Sequence, residues 1–370
     1  MNTKWQWLTG VTFVAGLVMA IPASAGGTDR TITEFQAPGA GTGAGQGTYA
    51  VYINNVGEIS GIYTDGSNIT HGFIRSPDGW FTTIDVPGAL FTQALFSNDE
   101  GTLNGFFLDK DSVWHGFVRA PCGDITVVDG PGAGTAPGQG TFDFGINEEG
   151  ATTGYFIDTN NVDHGFLRAP DGRITTFDAP QAGTGAGQGT IANSINERGE
   201  IAGYFIDTNN ANHGFLRTRD GRITTFEGPG AGTGAGQGTT PTLGGALNPQ
   251  GDMTGNIVNA TNVSDGFLRA PDGTFTTFEA PGAGTGAGQG TIPEQINPSR
   301  VITGQYVDGN GVNHGFVRAP DGTFTTFDAP GAGTGPGQGT IPASLNNAGA
   351  ITGFFSDADG VAHGFLRNRP

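Results

Sequence analysis

The fold is decided by Thr340–Arg367, which reads TIPASLNNAGAITGFFSDADGVAHGFLR. Thr340–Asn346 is a short strand, and Asn347-Ala348-Gly349 turns it. Ala350–Ser356 is a second strand, Asp357–Gly360 turns again, and Val361–Arg367 is a third strand carrying His-Gly-Phe. Elsewhere the same phrase continues through Pro320-Asp321-Gly322 into a fourth strand, Thr323–Asp328. Turn-forming residues stand at every boundary between apolar, β-branched runs.

The phrase recurs. His-Gly-Phe starts at His71, His115, His164, His213, His314 and His363, and Asp265-Gly266-Phe267 fills the one gap. These positions hold all six histidines and define seven units of about 49 residues. Four short strands per unit predict an all-β, seven-bladed β-propeller. The ends are complementary. Thr31–Gln36 is a fourth strand without its third, and the chain finishes on a third strand without its fourth. The expected ring therefore closes by pairing of N- and C-terminal strands. Loop length places the first strand innermost and the fourth outermost, with the long glycine loops and the second turns at one end of the ring.

Composition agrees. Of 370 residues, 68 are Gly, against an ordinary share of about 7%. Gly costs roughly 1 kcal/mol per helical position, which excludes a helical bundle. The glycines keep no three-residue register, which excludes collagen. Residues 1–25 read as a signal peptide, with Lys4 in a basic start, an apolar run from Leu8 to Ile21 and Ala23-Ser24-Ala25 at the cleavage point. Residues 26–370 form one domain, expected to be secreted or periplasmic and monomeric, with no membrane insertion after cleavage. The whole chain carries a net charge of −18, which makes nucleic acid a poor partner. Glycans or extracellular proteins are the expected ligands. Cys122 is the only cysteine, so no intramolecular disulfide forms.

The third-strand tripeptide, with the I-x-G-x-Y/F and I-N-x-x-G phrases before it, resembles the extracellular HAF-repeat family of bacterial secreted proteins. Gly stands where the family name has Ala. The resemblance implies an exported repeat protein and brings no catalytic residues with it.

Counting across the Pro-Asp-Gly hairpin sets His314 opposite Asp328, His71 opposite Asp85, His115 opposite Asp129, His164 opposite Asp178, His213 opposite Glu227 and His363 opposite Gln36. A catalytic His–Asp dyad is one reading. A stabilising pair is favoured, because a catalytic site is needed once and this pair recurs. The arginines that follow (Arg75, Arg119, Arg168, Arg217, Arg269, Arg318 and Arg367) read as inter-blade salt bridges or, less simply, as an anion site. The loop PGAGTGAGQGT, repeated unchanged at 38–48, 229–239 and 281–291, leads into a strand and so lacks the helix a phosphate site requires. In the second turns Asp308, Asp357 and Asp359 suit Ca²⁺, with Asx-turns as the metal-free explanation. No cofactor is implied.

Three departures mark where a unique site could lie. The second unit replaces the glycine loop by Leu90-Phe91-Thr92-Gln93. The fifth carries three extra residues around Thr240–Gly245. In that unit Asp265 replaces His and faces Glu279, and two facing carboxylates must share a proton or bind a cation. A binding or structural module with recognition at the loop-rich end is the first functional reading. An exported hydrolase or lyase with a carboxylate site near the central channel is the second, although Gly-x-Ser-x-Gly and His-Glu-x-x-His are both absent. A calcium-stabilised scaffold is the third.

Overall fold

The computed structural model describes residues Ile32–Asn368; the signal-peptide reading of residues 1–25 lies outside them. All regular structure in the described residues is β, in 28 strands. None of it is a helix long and apolar enough to cross a membrane. Strand β1 is Ile32–Phe35, and the first unit contains β2 (Gly47–Ile53), β3 (Ile59–Thr64), β4 (Thr70–Arg75) and β5 (Phe81–Ile84). The same order repeats to β26 (Gly339–Leu345), β27 (Ile351–Ser356) and β28 (Ala362–Arg367).

Neighbours within a unit pair antiparallel, for example Gly61 with Phe73 and Phe73 with Thr83. β1 pairs with β28 from Ile32↔Arg367 to Phe35↔Gly364, joining the two ends of the chain. The first three strands of each unit are mostly buried, whereas the fourth exposes its middle residues. The phenylalanine of each tripeptide is 0% exposed in all seven units. Phe73 and its siblings thus form the centres of the clusters between units.

The pairing corrects the expected seven-bladed, four-stranded propeller. The third strand of each unit also pairs, in parallel, with the first residue of the next unit's first strand. The contacts are Thr70↔Phe91, Trp114↔Gly140, Asp163↔Gly189, Asn212↔Gly238, Ser264↔Gly290, Asn313↔Gly339 and Ala362↔Gly47. Pairing therefore runs unbroken around a closed, barrel-like ring of 21 strands that carries seven additional strands, 28 in total, rather than seven separate blades. The physical cause is a glycine. Gly140 enters its strand at φ 120° with the Trp114 carbonyl inside the space a Cβ would need. Its counterparts in five other units share this geometry. In this positive-φ geometry only a residue without a side chain fits, whereas unit two makes the contact with Phe91. Sequence reading had left these glycines in the crossing loops.

A second ring locks one end. In I-N-x-x-G the Asn side-chain oxygen accepts the backbone N–H four residues on, as Asn54 Oδ1 does from Glu58 at 2.8 Å. Its amide donates to the next unit. Asn54 reaches the Asn98 carbonyl at 3.1 Å, Asn147 that of Asn196 at 3.2 Å, and Asn346 that of Asn54 at 3.2 Å. Asn98, Asn196, Asn248 and Asn297 complete the circle. Each buried amide thereby satisfies polar groups that would otherwise be costly to enclose.

The centre of the ring is filled. The first strands face it, and Tyr52, Leu95, Phe96, Phe144 and Tyr155 pack there. The extra residues of the fifth unit reach across to them. Leu243 joins this cluster, Gly244 donates its N–H to the Asn193 carbonyl at 2.9 Å, and Gly244 lies against the Phe96 ring of the second unit.

Candidate functional site

Every histidine lies between two carboxylates. Nδ1 of His71, His164 and His314 is 2.9 Å from Asp85, Asp178 and Asp328, and that of His115 is 2.8 Å from Asp129. His213 meets Glu227 in the same way. On the other ring nitrogen stand second-turn acids: Asp65, Asp109, Asp158, Asp207 and Asp308, at 3.6, 3.5, 3.8, 3.4 and 3.7 Å. His363 departs from the simple count. Its Nδ1 is 2.7 Å from Glu34 and 2.9 Å from Gln36, and its Nε2 is 2.9 Å from Asp357. Each imidazole also stacks on an aromatic ring, as His71 on Tyr63 at 4.9 Å and His363 on Phe355 at 4.8 Å.

An imidazole with an acid at each nitrogen can, when protonated, donate at both positions. The bond to Asp328, followed by the charges of Asp328 and Asp308, raises His314 above its ordinary value. Asp65 is lowered, chiefly by the Ile69 backbone N–H and then by Ser67 and His71. Burial alone would raise Asp308, but the N–H groups of Val312 and Asn310 together with His314 lower it. Sequence counting reached the first carboxylate of five trios and, for His363, gave Gln36 in place of Glu34. It missed the second, because the turn acid arrives from the neighbouring hairpin, six residues before the histidine.

The calcium candidates Asp308, Asp357 and Asp359 do not converge. Asp308 Oδ1 accepts the N–H groups of Asn310 and Val312, both at 2.8 Å, and Asp357 Oδ1 accepts those of Asp359 and Val361, both at 2.9 Å. These are Asx-turns. Among the described residues no group of three or more His, Cys, Asp or Glu is arranged to hold a metal.

Unit five breaks the trio. Asp265 bonds with Asn259 and Glu279, and burial followed by the Glu279 charge raises its carboxyl. Asp265 lies on the third strand (Ser264–Arg269), away from the filled centre. Replacing it by His should restore the pair with the fourth-strand acid, here Glu279, with Asn259 standing where the other units have the turn acid. Asp265→His is expected to add about 0.5–1 kcal/mol, with solvent screening allowed for, or about 1–2 °C in melting temperature for a chain of this size. A raised imidazolium contributes fully below its unfolded pKa of about 6.5 and loses its contribution as pH rises through the folded value. The gain should therefore be present at pH 6 and shrink by pH 9; equal or lower melting at pH 6 would show that the facing carboxylates carry no penalty.

Among the described residues Arg75, Arg217, Arg269 and Arg318 do not form the expected salt-bridge lattice. Arg75, Arg217, Arg269, Arg318 and Arg367 lie 4.6–4.8 Å above Phe35, Phe177, Phe226, Phe278 and Phe327 of the preceding fourth strand. These are cation–π contacts between units. The glycine loops are latched as well. Gln46 Oε1 accepts the Gly43 N–H at 2.8 Å, its Nε2 donates to Asn68 at 2.9 Å, and Thr48 Oγ1 accepts the Ala37 N–H at 2.9 Å. Gln188, Gln237, Gln289 and Gln338 accept their own loop N–H in the same way.

Two strand acids, one buried and one half-buried, escaped sequence reading. Asp143 stands where its siblings have Ala or Pro, bonds Asn104 at 2.9 Å and Thr152 at 2.8 Å, and is pushed up to about 7 by burial. Glu294, beside the filled centre and bonded to Thr242, is pushed up to about 8 by burial. Both stand on first strands, and no local pattern distinguishes them from ordinary strand acids.

No family model and no curated protein matches the chain. Solved structures share its fold. A streptogramin B lyase has a TM-score of 0.57 at 15% identity, with 90% of this chain and 96% of that one covered. The virginiamycin B lyase of Staphylococcus aureus gives 0.56 at 16%, covering 91% and 99%. The BP39L lectin of Burkholderia pseudomallei gives 0.54 at 11%, covering 86% and 95%. The chain thus has a β-rich, repeated, propeller-like fold, similar both to lyases and to a lectin.

Proposed function

We propose that this protein is an exported binding module for glycans or glycan-bearing surface proteins. The observation that carries the reading is that the recurring polar chemistry is already engaged. Six histidines are held in carboxylate trios, and the loop glutamines and turn asparagines are bonded within the scaffold. Such a chain is a rigid ring with its acid–base groups spent on architecture, and function then falls to clefts between units. Recognition is assigned to the end where the I-N-x-x-G turns lie, because a cleft between units opens there. The lectin likeness and the HAF-repeat resemblance agree with this reading. A second reading, a hydrolase or lyase, is favoured by one group, the Glu294 carboxyl near the ring centre, poised near neutrality.

A glycan array probed with residues 26–370 tests the proposal. The expected result is selective retention of one glycan class at micromolar to millimolar strength. An array with no selective binding would overturn it.

A further inference from the structure

We infer that the junction between units six and seven is a sugar-binding cleft, which takes one or two neutral pyranose rings. The inference rests on the glycan reading and names its site. A cavity of about 460 Å³ opens there, at the end of the ring that bears the I-N-x-x-G turns. Its walls include Val301, Val317, Leu345 and Ile351, and its polar groups include Asn347 and Arg367. No carboxylate lines it, although the chain carries 34 acidic residues. A pyranose has an apolar ring face and an edge of hydroxyl groups, which matches apolar walls with a neutral amide at the mouth. The volume lies in the range of small-molecule sites, about 300–1,000 Å³.

The opening has a sequence cause. At four junctions the residue after the ring asparagine donates its N–H to the side chain at the same position of the next unit. The pairs are Asn347 to Asn55, Asn55 to Asp99, Asp99 to Glu148 and Glu148 to Glu197, at 2.8–3.0 Å. Pro249 and Pro298 occupy this position in units five and six and have no N–H to give. Two of the three remaining junctions are bridged otherwise. Arg198 lies over Gly251, and Arg300 grips buried Asp252 at 2.7 and 2.8 Å. Arg300 takes φ 60° where its six siblings are Gly, so its side chain turns back toward unit five. Among the described residues, the junction of units six and seven lacks the bridge from residue 298 and is held beside the turns by the Asn297 amide, 3.5 Å from the Asn346 carbonyl, and by the Leu345 N–H, which donates to Gln295 Oε1 at 2.8 Å. The Asn347 side chain, which would accept from residue 298, makes no hydrogen bond to the described residues and is exposed.

The test uses the full mature chain and a panel of methyl pyranosides: the α-fucoside, α-mannoside, β-galactoside and β-N-acetylglucosaminide. Binding is read by saturation-transfer NMR and titration, and mapped by ¹H–¹⁵N shifts. We expect at least one member to bind and to shift the Asn347 side-chain amide. Ser299→Trp, which fills the mouth, should weaken it at least 10-fold, and Asn347→Ala about 5-fold, the loss of one net hydrogen bond. No binding by any member overturns both the cleft and the glycan reading. Binding that leaves the Asn347 amide unshifted and tolerates Asn347→Ala overturns the cleft alone. Should Ser299→Trp fail to fold, the shift map and Asn347→Ala decide the matter by themselves.

Discussion

A chain that begins at Ala37 is expected to lose its cooperative melting transition, or to melt at least about 7 °C lower. Removing β1 strips the outer edge of β28 over its four paired residues. It leaves backbone groups without partners on an exposed strand edge. It also removes Phe35, which is 9% exposed and packs with Tyr63 and Phe73 of the first unit while Arg75 stacks on it. Glu34, the acid beside His363, goes too. The Phe35 side chain alone is worth about 3–5 kcal/mol by comparison with other buried phenylalanines. Whole domains are stable by only about 5–15 kcal/mol. Phe35→Ala should therefore account for much of the loss, and thermal denaturation followed by circular dichroism measures both variants. Unchanged melting of the shortened chain would mean that the ring does not depend on the pairing of its ends.

Gly140→Ala should destabilise the ring far more than Gly138→Ala, two residues earlier. Both glycines have positive φ, 120° and 84°. At Gly138 the space for a Cβ is open, so alanine meets only backbone strain of about 1 kcal/mol. At Gly140 the same methyl group would collide with the backbone of Trp114, which cannot rotate aside as a side chain can. The parallel contact between units two and three would have to separate, at an expected cost of about 3 kcal/mol or more, in the range of severe steric changes. Urea denaturation of the two variants separates the contributions. Equal midpoints would show that the link between these units contributes nothing to stability.

Much of the site chemistry was legible from the residues because it is local. The His–carboxylate pairs lie 14 residues apart across one hairpin, and hairpin register follows from turn length. The Asp265–Glu279 contact followed from the same count. The Asp at the other ring nitrogen was visible as a turn residue, but its direction was not. The I-N-x-x-G phrase was equally plain in the sequence. Its meaning was hidden, since Asn54 and Asn98 meet only after two units have packed.

What the sequence by itself determined is the repeat: seven units, their strand and turn order, complementary ends, and the register inside each hairpin. Periodicity and turn chemistry act over a few residues, so they can be read without a fold. Tertiary structure alone decided how the units join. Glycines reserved for loops became contact points in a continuous ring of strands, arginines stacked on phenylalanines of the neighbouring unit, and an insertion in unit five filled the centre. It also decided which junction stays open, because two prolines and one reversed arginine act only between neighbours brought together by closure. Contacts of this kind join neighbouring units, as Trp114 with Gly140 and Asp252 with Arg300. Their energies depend on packing geometry that no local pattern encodes.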